Sequence, residues 1–459
     1  MRYSPFDKDY DNVEPSDLVK LKEVMEGWYV EYKSQLPNTR SIAKSLSSFA
    51  NQYGGWLFLG IDEEPHLKTA GSFPGIGEED LSQVLEDLRN ASKDLIRPQV
   101  TYRTRILDGP IVDISLPEKR SVVLVHVPEG SDTPYIHNDG RIYIRIGDSS
   151  TPIPANDKAT FDMLYQRGED RRSYLSALVE RSPELSRGEE NSSFIHLSIL
   201  SDPYETLGHW YEGMFSDFSS AMQDLPIPFD NIYTSASGFV ARQVGINQRY
   251  NRLFTWEFSR NCSSFISIPI NVLPSFESND YLGSDAIDEW NRYSIGKKFA
   301  YLFSSRDLGA SRILNLNLLL TLLIALVDKH CKIVRSSGVK GPFYIKARIE
   351  NVWRTVPFID LNEFMEHIET LDFPVVQESD FVVPEGTSLD TFVVCQELDD
   401  KSFETNMVGS DGAVEILFEI VEALGIPSEL LRKNAINLVS VSQRESEFHR
   451  ARQDSEESL

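Results

Sequence analysis

Cysteine is scarce in this chain of 459 residues. Its three cysteines, Cys262, Cys331 and Cys395, lie far apart and form no Cys-x-x-Cys pair. This spacing disfavours both a disulfide framework and a structural zinc site. It favours a reducing, cytoplasmic location.

Long apolar runs are missing as well. The most apolar stretch, Leu316–Val327, spans 12 residues and includes Asn317 and Thr321. It is too short to cross a bilayer, so it predicts a buried core helix and no membrane association. The first 17 residues have no apolar segment of the kind that a secretory signal contains.

Basic residues are outnumbered, because 45 Lys and Arg against 70 Asp and Glu give a net charge of −25. Residues 1–150 carry 17 basic and 24 acidic side chains, and residues 151–459 carry 28 and 46. Non-specific nucleic-acid binding over a whole surface needs a basic balance. Any nucleic-acid contact must therefore use a local patch or a metal-bearing cleft, and the second part of the chain is the poorer candidate.

Several motifs with known chemistry are absent. No G-x-x-x-x-G-K-[ST] loop occurs, so no motif supports ATP binding. No G-x-S-x-G occurs either. The eight histidines are scattered along the chain, which disfavours a histidine-based metal site.

The length predicts two or three domains. We expect a leader over residues 1–19, a first domain over 20–170 and a polar linker over 171–192. A second α+β domain should follow over 193–442, and a charged tail over 443–459 should be disordered. The sequence leaves open whether the second domain serves sensing, oligomerisation or partner binding.

Within the first domain, apolar and polar residues alternate along Trp28–Lys33. The alternation predicts a strand that has Glu31 and Lys33 on a polar outer face. The next apolar residues have helical spacing and predict a helix over residues 39–53.

The continuous apolar run Trp56–Ile61 predicts a strand that is buried on both faces. The acidic residues 62–64 follow directly at its carboxyl end. The other expected elements are a helix over 78–96, strands over 99–107, 111–115 and 121–127, a hairpin over 135–146 and a closing helix over 155–167. This order indicates a mixed α/β domain with a partly antiparallel sheet.

Three blocks of the sequence resemble those of the Schlafen-type AlbA-like domain, whose bacterial members are often described as divergent ATP-binding proteins. The blocks are EGWYVEYK, SFANQYGGWLFLGID and GRIYIRIGDSSTPI, and they occur in that order. The resemblance covers about residues 20–165, roughly a third of the chain. It implies an α+β, or mixed α/β, N-terminal domain that binds nucleic acid, with RNA favoured.

In nucleolytic Schlafens, two glutamates five positions apart and a later acidic residue carry the activity. The resemblance places the two glutamates at Glu26 and Glu31 and the third acid at Glu63. Nucleolytic members usually have Asp at the third position, so Asp62 and Glu63 stay alternatives, and Lys33 matches the lysine of the family pattern. The resemblance thus implies Mg²⁺ or Mn²⁺ at these acids, cleavage of tRNA or another RNA, and an antiviral role such as phage defence.

The chemistry agrees with this assignment, because phosphodiester cleavage needs hard cations that carboxylate oxygens hold. Lys33 could contact a phosphate as a point charge. The ordinary alternative is that Glu26 and Glu31 are solvent-facing acids and that residues 62–64 form a polar loop. Asn51 is expected to be structural, as part of the turn between helix and strand.

Arg141, Tyr143 and Arg145 share one face of the predicted hairpin. The two arginines could bind a phosphate backbone, although exposed hairpins commonly carry arginine.

Three hypotheses follow from these patterns. The first is a metal-dependent endoribonuclease, and the second is a non-catalytic, nucleic-acid-binding transcriptional regulator that uses Lys33, Arg141 and Arg145. The third is a scaffold subunit of a larger complex that presents the acidic second domain. A homodimer or a protein partner bound through that domain is also expected.

Overall fold

In the computed structural model, the described residues are 3–6, 8, 10, 13–146, 151–181, 192–201, 213–243, 254–274, 289–306, 308–309, 311–336, 342–387, 389–395 and 410–457. The chain divides into two compact units, the first comprising Met1–Leu175 and the second most of the chain from Ser176 onward. Both units mix helices and strands, which confirms the expected fold class.

The first unit contains short strands and two helices, followed by a third helix that begins in it. The strands are β1 (Val30–Lys33), β2 (Gly55–Leu59), β3 (Asp62–Glu63), β4 (Ala70–Ser72), β5 (Ile76–Gly77), β6 (Ile96–Arg97), β7 (Arg103–Asp108), β8 (Arg120–Val127), β9 (Ile136–His137), β10 (Tyr143–Ile144) and β11 (Ile153–Pro154). The helices are α1 (Thr39–Ala50), α2 (Leu81–Leu95) and α3 (Lys158–Glu180). There are 3₁₀ segments at Pro15–Glu23, Glu78–Asp80 and Val112–Ile114.

The main sheet of this unit has the order β1-β2-β8-β5, and β7 also pairs with β8. β1 is parallel to β2, and β8 is antiparallel to it. Trp56 and Phe58 of β2 face one core cluster, whereas Leu57 and Leu59 face a second cluster with α1 and α2. The predicted strand buried on both faces is thereby confirmed.

The N-terminal residues cover one face of this sheet. Phe6, Val13 and Leu18 are buried in the same cluster as Trp56, and the rings of Phe6 and Trp56 are 5.6 Å apart between centroids. The expectation of a separate leader over residues 1–19 is therefore wrong, because these apolar side chains complete the core.

Two further predictions in this unit are corrected. The expected strand over 111–115 is instead the 3₁₀ segment Val112–Ile114. In the expected hairpin over 135–146, β9 pairs with β6, and Ile136 joins Ile142 only through an isolated bridge. The residues after this bridge form β10, which pairs with β11 rather than with β9.

The second unit is a separate α+β arrangement. Its strands are β12 (Phe194–Leu200), β13 (Asn231–Thr234), β14 (Gly238–Arg242), β15 (Thr255–Ser259), β16 (Ser264–Pro269), β17 (Val272–Leu273), β18 (Arg312–Asn315), β19 (Phe343–Glu350), β20 (Thr355–Phe358), β21 (Phe381–Val383) and β22 (Val393–Cys395). Its helices are α4 (Met214–Gln223), α5 (Gly296–Ser305), α6 (Leu316–Ser336), α7 (Asn362–Leu371), α8 (Ser410–Ala423), α9 (Ser428–Arg432) and α10 (Ala435–Glu457).

An antiparallel sheet with the order β13-β14-β15-β16-β12-β19-β21 forms the centre of this unit, and β22 also pairs with β19. α6 is the buried core helix that the apolar stretch Leu316–Val327 predicts. Among the described residues, no helix combines the length and apolarity needed to cross a membrane.

The expected disordered tail is a helix over most of its length. α10 runs to Glu457 and buries Leu438, Val441 and Glu445 along one side. Glu445 pairs with Arg292, with 3.0 Å between the carboxylate and the guanidinium. The expected linker over 171–192 also changes, because α3 extends to Glu180 and residues 182–191 lie outside the described residues.

Candidate functional site

Two glutamates at β1 are buried. Glu26 lies before the strand and is 6% exposed, and Glu31 lies within the strand and is 3% exposed. Ionisable side chains are seldom buried unless they are paired. The interpretation of both residues as solvent-facing acids is therefore wrong, and so is the polar outer face expected for β1.

The side of β1 that carries Glu31 packs against α1. Ser45 and Ser48 are buried on this helix among its apolar residues. The Ser45 hydroxyl donates to Glu31 Oε1 at 3.0 Å. The Ser45 hydroxyl on the covering helix thus gives the buried carboxylate a hydrogen-bond partner in place of water.

Arg145 supplies the opposite charge. Its guanidinium is fully buried and donates to Glu31 Oε2, to Ser48 Oγ at 3.2 Å and to the Gly27 carbonyl at 3.0 Å. It also lies 3.8 Å from the centroid of the Phe49 ring. Burial lowers the pKa of Arg145, while the charge of Glu31 and the hydrogen bond that Arg145 donates to it raise that pKa.

Lys33 connects the two glutamates. Its Nζ is 2.9 Å from Glu31 Oε1 and 3.7 Å from Glu26 Oε1, and it donates to the Tyr32 carbonyl at 3.0 Å. The Lys33 side chain is 38% exposed. One ammonium group therefore contacts both acids and also reaches solvent.

Glu63 completes the group that we call the carboxylate cluster, namely Glu26, Glu31 and Glu63. The Glu63 carboxyl group lies near that of Glu26. Desolvation raises the pKa of Glu63, and so does the negative charge of Glu26, whereas Lys68 and Lys33 act in the opposite direction.

Asp62 and Glu63, the two candidates for the third acid, have different surroundings. They are consecutive residues of β3, and the register with β4 shifts between them. Glu63 reaches Glu26, whereas Asp62 is exposed and lies opposite Ser72. Glu63 is thus the one that joins the cluster.

The expected shared face of Arg141, Tyr143 and Arg145 does not form. Arg141 is exposed, but Tyr143 is buried and its hydroxyl donates to Asp139 Oδ2 at 2.7 Å. The predicted contact of Arg145 with a phosphate backbone is wrong, because its guanidinium is enclosed and paired with Glu31.

Asn51 is structural, as predicted. Its side-chain amide donates to the carbonyls of Tyr135 and Tyr143 at 2.8 and 3.0 Å, and its Oδ1 accepts from the Tyr135 N–H at 2.7 Å. These bonds tie the end of α1 to the segment that leads to Arg145. Asn51 thereby helps to place the guanidinium next to Glu31.

Within the described ranges, no three His, Cys, Asp or Glu side chains form a group arranged to hold a metal ion. Glu26 and Glu63 nevertheless bring two carboxyl groups together, and Mg²⁺ is commonly held by one or two carboxylates together with water and phosphate oxygens. This pair has the donor chemistry for such an ion. Glu31 differs from them, since Arg145, Ser45 and Lys33 already engage both of its oxygens.

Sequence reasoning missed the contributions of Ser45 and Ser48 and the role of Arg145. A signal for the serines was present: they are three positions apart on the same helix as Ile42, Leu46 and Phe49. Polar residues on the inner side of a helix indicate a polar group opposite. No comparable signal connects Arg145 to Glu31, because 114 positions separate them.

The family model for the Schlafen AlbA_2 domain matches residues 26–154. The match lies within the first unit, which is thus similar to the Schlafen AlbA_2 domain, and it includes the carboxylate cluster and Arg145.

Solved structures also match the chain. The N-terminal domain of a RecG-related protein from Nitrosomonas europaea is 22% identical, with a TM-score of 0.23, over 32% of this chain and 97% of that one. The DIP2311 protein from Corynebacterium diphtheriae is 15% identical, with a TM-score of 0.19, over 34% of this chain and 25% of that one. None of the curated proteins compared with this chain matches it.

Proposed function

We propose that the first unit binds RNA and hydrolyses its phosphodiester bonds with the help of Mg²⁺ or Mn²⁺. The supporting observation is that Glu26, Glu31 and Glu63 converge from separate segments on a partly exposed lysine, Lys33. The Schlafen AlbA_2 domain supports nucleic acid as the ligand through the resemblance described above.

Each residue of the site would have a separate role. Glu26 and Glu63 would hold the divalent cation, which when bound neutralises phosphate charge and activates water. Lys33 would contact a phosphate oxygen as a point charge. Glu31, held by Arg145, fixes the position of the Lys33 ammonium group. Asp62, being exposed, is the weaker candidate for a ligand.

Cation binding should depend on pH. The Glu63 carboxyl group has a raised pKa beside Glu26, and a carboxyl group must be ionised to bind a metal. We therefore expect cation affinity to increase as pH rises through the pKa of Glu63. Glu63→Gln should remove this pH dependence, which isothermal titration with Mg²⁺ would measure without any RNA.

Cleavage assays test the proposal directly. The full chain would be incubated with total tRNA, mRNA or single-stranded DNA in the presence of Mg²⁺, Mn²⁺ or EDTA. We expect metal-dependent cleavage of RNA that falls by about 100-fold or more in Glu26→Gln and Lys33→Met, as when one stabilising group is removed from a transition state.

A matched control is Glu118→Gln, which changes an exposed acid of the same unit and should cut RNA normally. Undiminished cleavage by Glu26→Gln and Glu63→Gln would contradict the assignment of the cluster. RNA that stays intact with every metal would contradict hydrolysis.

A second candidate function is nucleic-acid binding without hydrolysis, as in a regulator. The engagement of both Glu31 oxygens by protein groups favours it, because that acid is already satisfied. Lys33 and the exposed Arg141 would then contact phosphates, and Arg145 would not. This candidate predicts binding that Arg141→Ala and Lys33→Met weaken, with no cleavage.

The antiviral role stays a prediction. We propose that the second unit targets or controls the first, through a protein partner or a second copy of the chain. Phage plating on cells that express the protein or its Glu26→Gln variant would test the role. Equal plating on both would contradict it.

A further inference from the structure

Four aromatic side chains form a continuous row on the first unit, which we call the aromatic row: Tyr3, Tyr29, Trp28 and Tyr53. The rings of Tyr3 and Tyr29 are stacked, with centroids 5.0 Å apart and planes inclined by 19°. Trp28 lies 6.2 Å from Tyr29 and 6.1 Å from Tyr53. Each ring thus contacts the next.

The row is open to solvent. Tyr3 is 40% exposed, Trp28 39% and Tyr53 49%, whereas Tyr29 is partly buried against the core. Rings of this size are among the most favourable groups to bury. A contiguous group of them on a surface indicates a binding site.

The row is also held in place. The Trp28 indole N–H donates to the Arg145 carbonyl at 2.8 Å, and the ring meets Tyr53 at an interplanar angle of 80°. Arg167 donates to the carbonyls of Asn51 and Gln52, immediately before Tyr53. Ring surfaces that are fixed before binding lose little entropy when a ligand stacks on them.

The row adjoins the carboxylate cluster. Trp28 is two residues after Glu26 in the chain, and its indole bonds to the backbone of Arg145, whose guanidinium bonds to Glu31. Lys33 offers a partly exposed positive charge at the same cluster. The row and the cluster therefore share the chain segment from Glu26 to Lys33 and are joined through Arg145.

We infer that the aromatic row is a stacking platform for unpaired nucleobases, which selects single-stranded RNA and leads it to the carboxylate cluster. The inference rests on the proposed function, and it adds the strandedness of the substrate. Stacking also explains how an acidic unit could bind RNA, since residues 1–150 carry 17 basic and 24 acidic side chains. A base in a duplex has both faces covered by its neighbours and cannot stack in this way.

Fluorescence anisotropy with three labelled probes would test the inference on the full chain in EDTA. The probes are a short single-stranded RNA, the same RNA annealed to its complement, and an abasic oligonucleotide of equal length. We expect the single strand to bind at least about fivefold more tightly than either other probe, because each stacked base contributes roughly 5- to 150-fold.

Trp28→Ala and Tyr53→Ala should each weaken single-strand binding by about fivefold or more, with little effect on the abasic probe. Trp28→Phe and Tyr53→Phe should retain most of the affinity because they keep a ring. Tyr301→Ala is the matched control, since Tyr301 is 78% exposed in the second unit, and it should bind like the parent chain. Far-ultraviolet circular dichroism checks that the variants fold.

The inference is overturned if the abasic probe binds as well as the RNA, or if the alanine variants bind RNA normally. Alanine variants that alter self-association but not RNA affinity would assign the row to a protein interface and equally overturn it. Base-dependent binding without cleavage would contradict the proposed hydrolysis but support the platform. Metal-dependent cleavage together with normal RNA binding by Trp28→Ala would contradict the platform but support the proposed hydrolysis.

Discussion

Arg145 shows how a single side chain determines the character of this site. A buried carboxylate without a partner is costly, and Glu31 is paired with a guanidinium and two further donors. The same guanidinium bonds to Ser48 and Gly27. Arg145 therefore connects α1, β1 and the residue before Trp28.

Removing this guanidinium should destabilise the first unit strongly. Arg145→Met leaves the buried Glu31 with Lys33 and the Ser45 hydroxyl but without its guanidinium partner, and breaking one side of a buried pair costs about 3–5 kcal/mol. Urea unfolding followed by tryptophan fluorescence would measure the loss. Arg141→Met changes an exposed arginine and should cost little.

The double variant Glu31→Gln/Arg145→Met separates the effect of the Glu31–Arg145 ion pair from the effect of Arg145 packing on the Phe49 ring. We expect it to be more stable than Arg145→Met, because no ionised carboxylate is then left unpaired. A double variant less stable than Arg145→Met would show that the guanidinium acts mainly through its contact with the Phe49 ring.

His330 should make the stability of the second unit depend on pH. Its Nε2 is 2.8 Å from Ser201 Oγ, and its Nδ1 is 2.8 Å from Ser264 Oγ. Ser201 donates its hydroxyl proton to the Cys262 carbonyl, so it must accept from Nε2–H, and Nδ1 accepts from Ser264. Burial lowers the pKa of His330 to about 3, and the ring stays neutral.

Acid should therefore destabilise the second unit. Below its ordinary pKa of 6.5 the unfolded chain protonates this histidine, while the folded chain does not until pH approaches 3. The contribution of the neutral His330 to the free energy of unfolding is fully present above pH 6.5. It falls by about 1.4 kcal/mol per pH unit as the solution is acidified below that value. Unfolding free energies at several pH values would show the slope.

His330→Gln should flatten that slope relative to the parent chain. His66→Gln changes an exposed histidine of the first unit and should leave the slope unchanged. The same slope in the parent chain and in His330→Gln would contradict the assignment to His330.

At the scale of elements, the N-terminal segment is the part whose importance is least visible in the sequence. Phe6→Ala should destabilise the first unit by about 3–5 kcal/mol, because the ring packs edge-on against Trp56 and Phe58. Thermal unfolding would measure the change. Val112→Ala alters an exposed residue and serves as the control, and equal melting of both variants would contradict a core role for the segment.

Local patterns predicted the elements well where burial is uniform. The run Trp56–Ile61 could be assigned to a buried strand, and Leu316–Val327 to a core helix, because most residues in each are apolar. The same reasoning misplaced Glu31, since alternation along β1 shows which residues share a side but not what covers that side. α1 covers it with hydroxyl groups.

The C-terminal helix was mispredicted for a related reason. Its buried side includes Glu445, an acidic residue that the sequence alone predicts to face solvent. The partner, Arg292, is 153 positions away, so no local pattern identifies it. For the candidate site, the family pattern supplied Glu26 and Glu31, whereas the choice of Glu63 required three-dimensional contacts.

For the whole molecule, the net charge of −25 limits how RNA can be bound. The cations proposed to contact phosphate are Lys33 and Arg141, so few counterions are released on binding. We expect log affinity for single-stranded RNA to change with log salt concentration by a slope of about −1 to −2. Anisotropy titrations over a range of KCl concentrations would measure it.

Lys33→Met should make this slope about 0.7 shallower, as expected for one phosphate contact on a single strand. Trp28→Ala should lower the affinity without changing the slope. A slope of about −5 or steeper would contradict binding that depends mainly on stacking.

The bond between Glu31 and Arg145 joins residues 114 positions apart, and this separation has a consequence for biosynthesis. A growing chain carries the acids of the cluster long before the ribosome adds the guanidinium that holds one of them. Contacts of such long range form only after the intervening chain is available to fold. The site is therefore assembled late, and a polypeptide released before Arg145 cannot contain it.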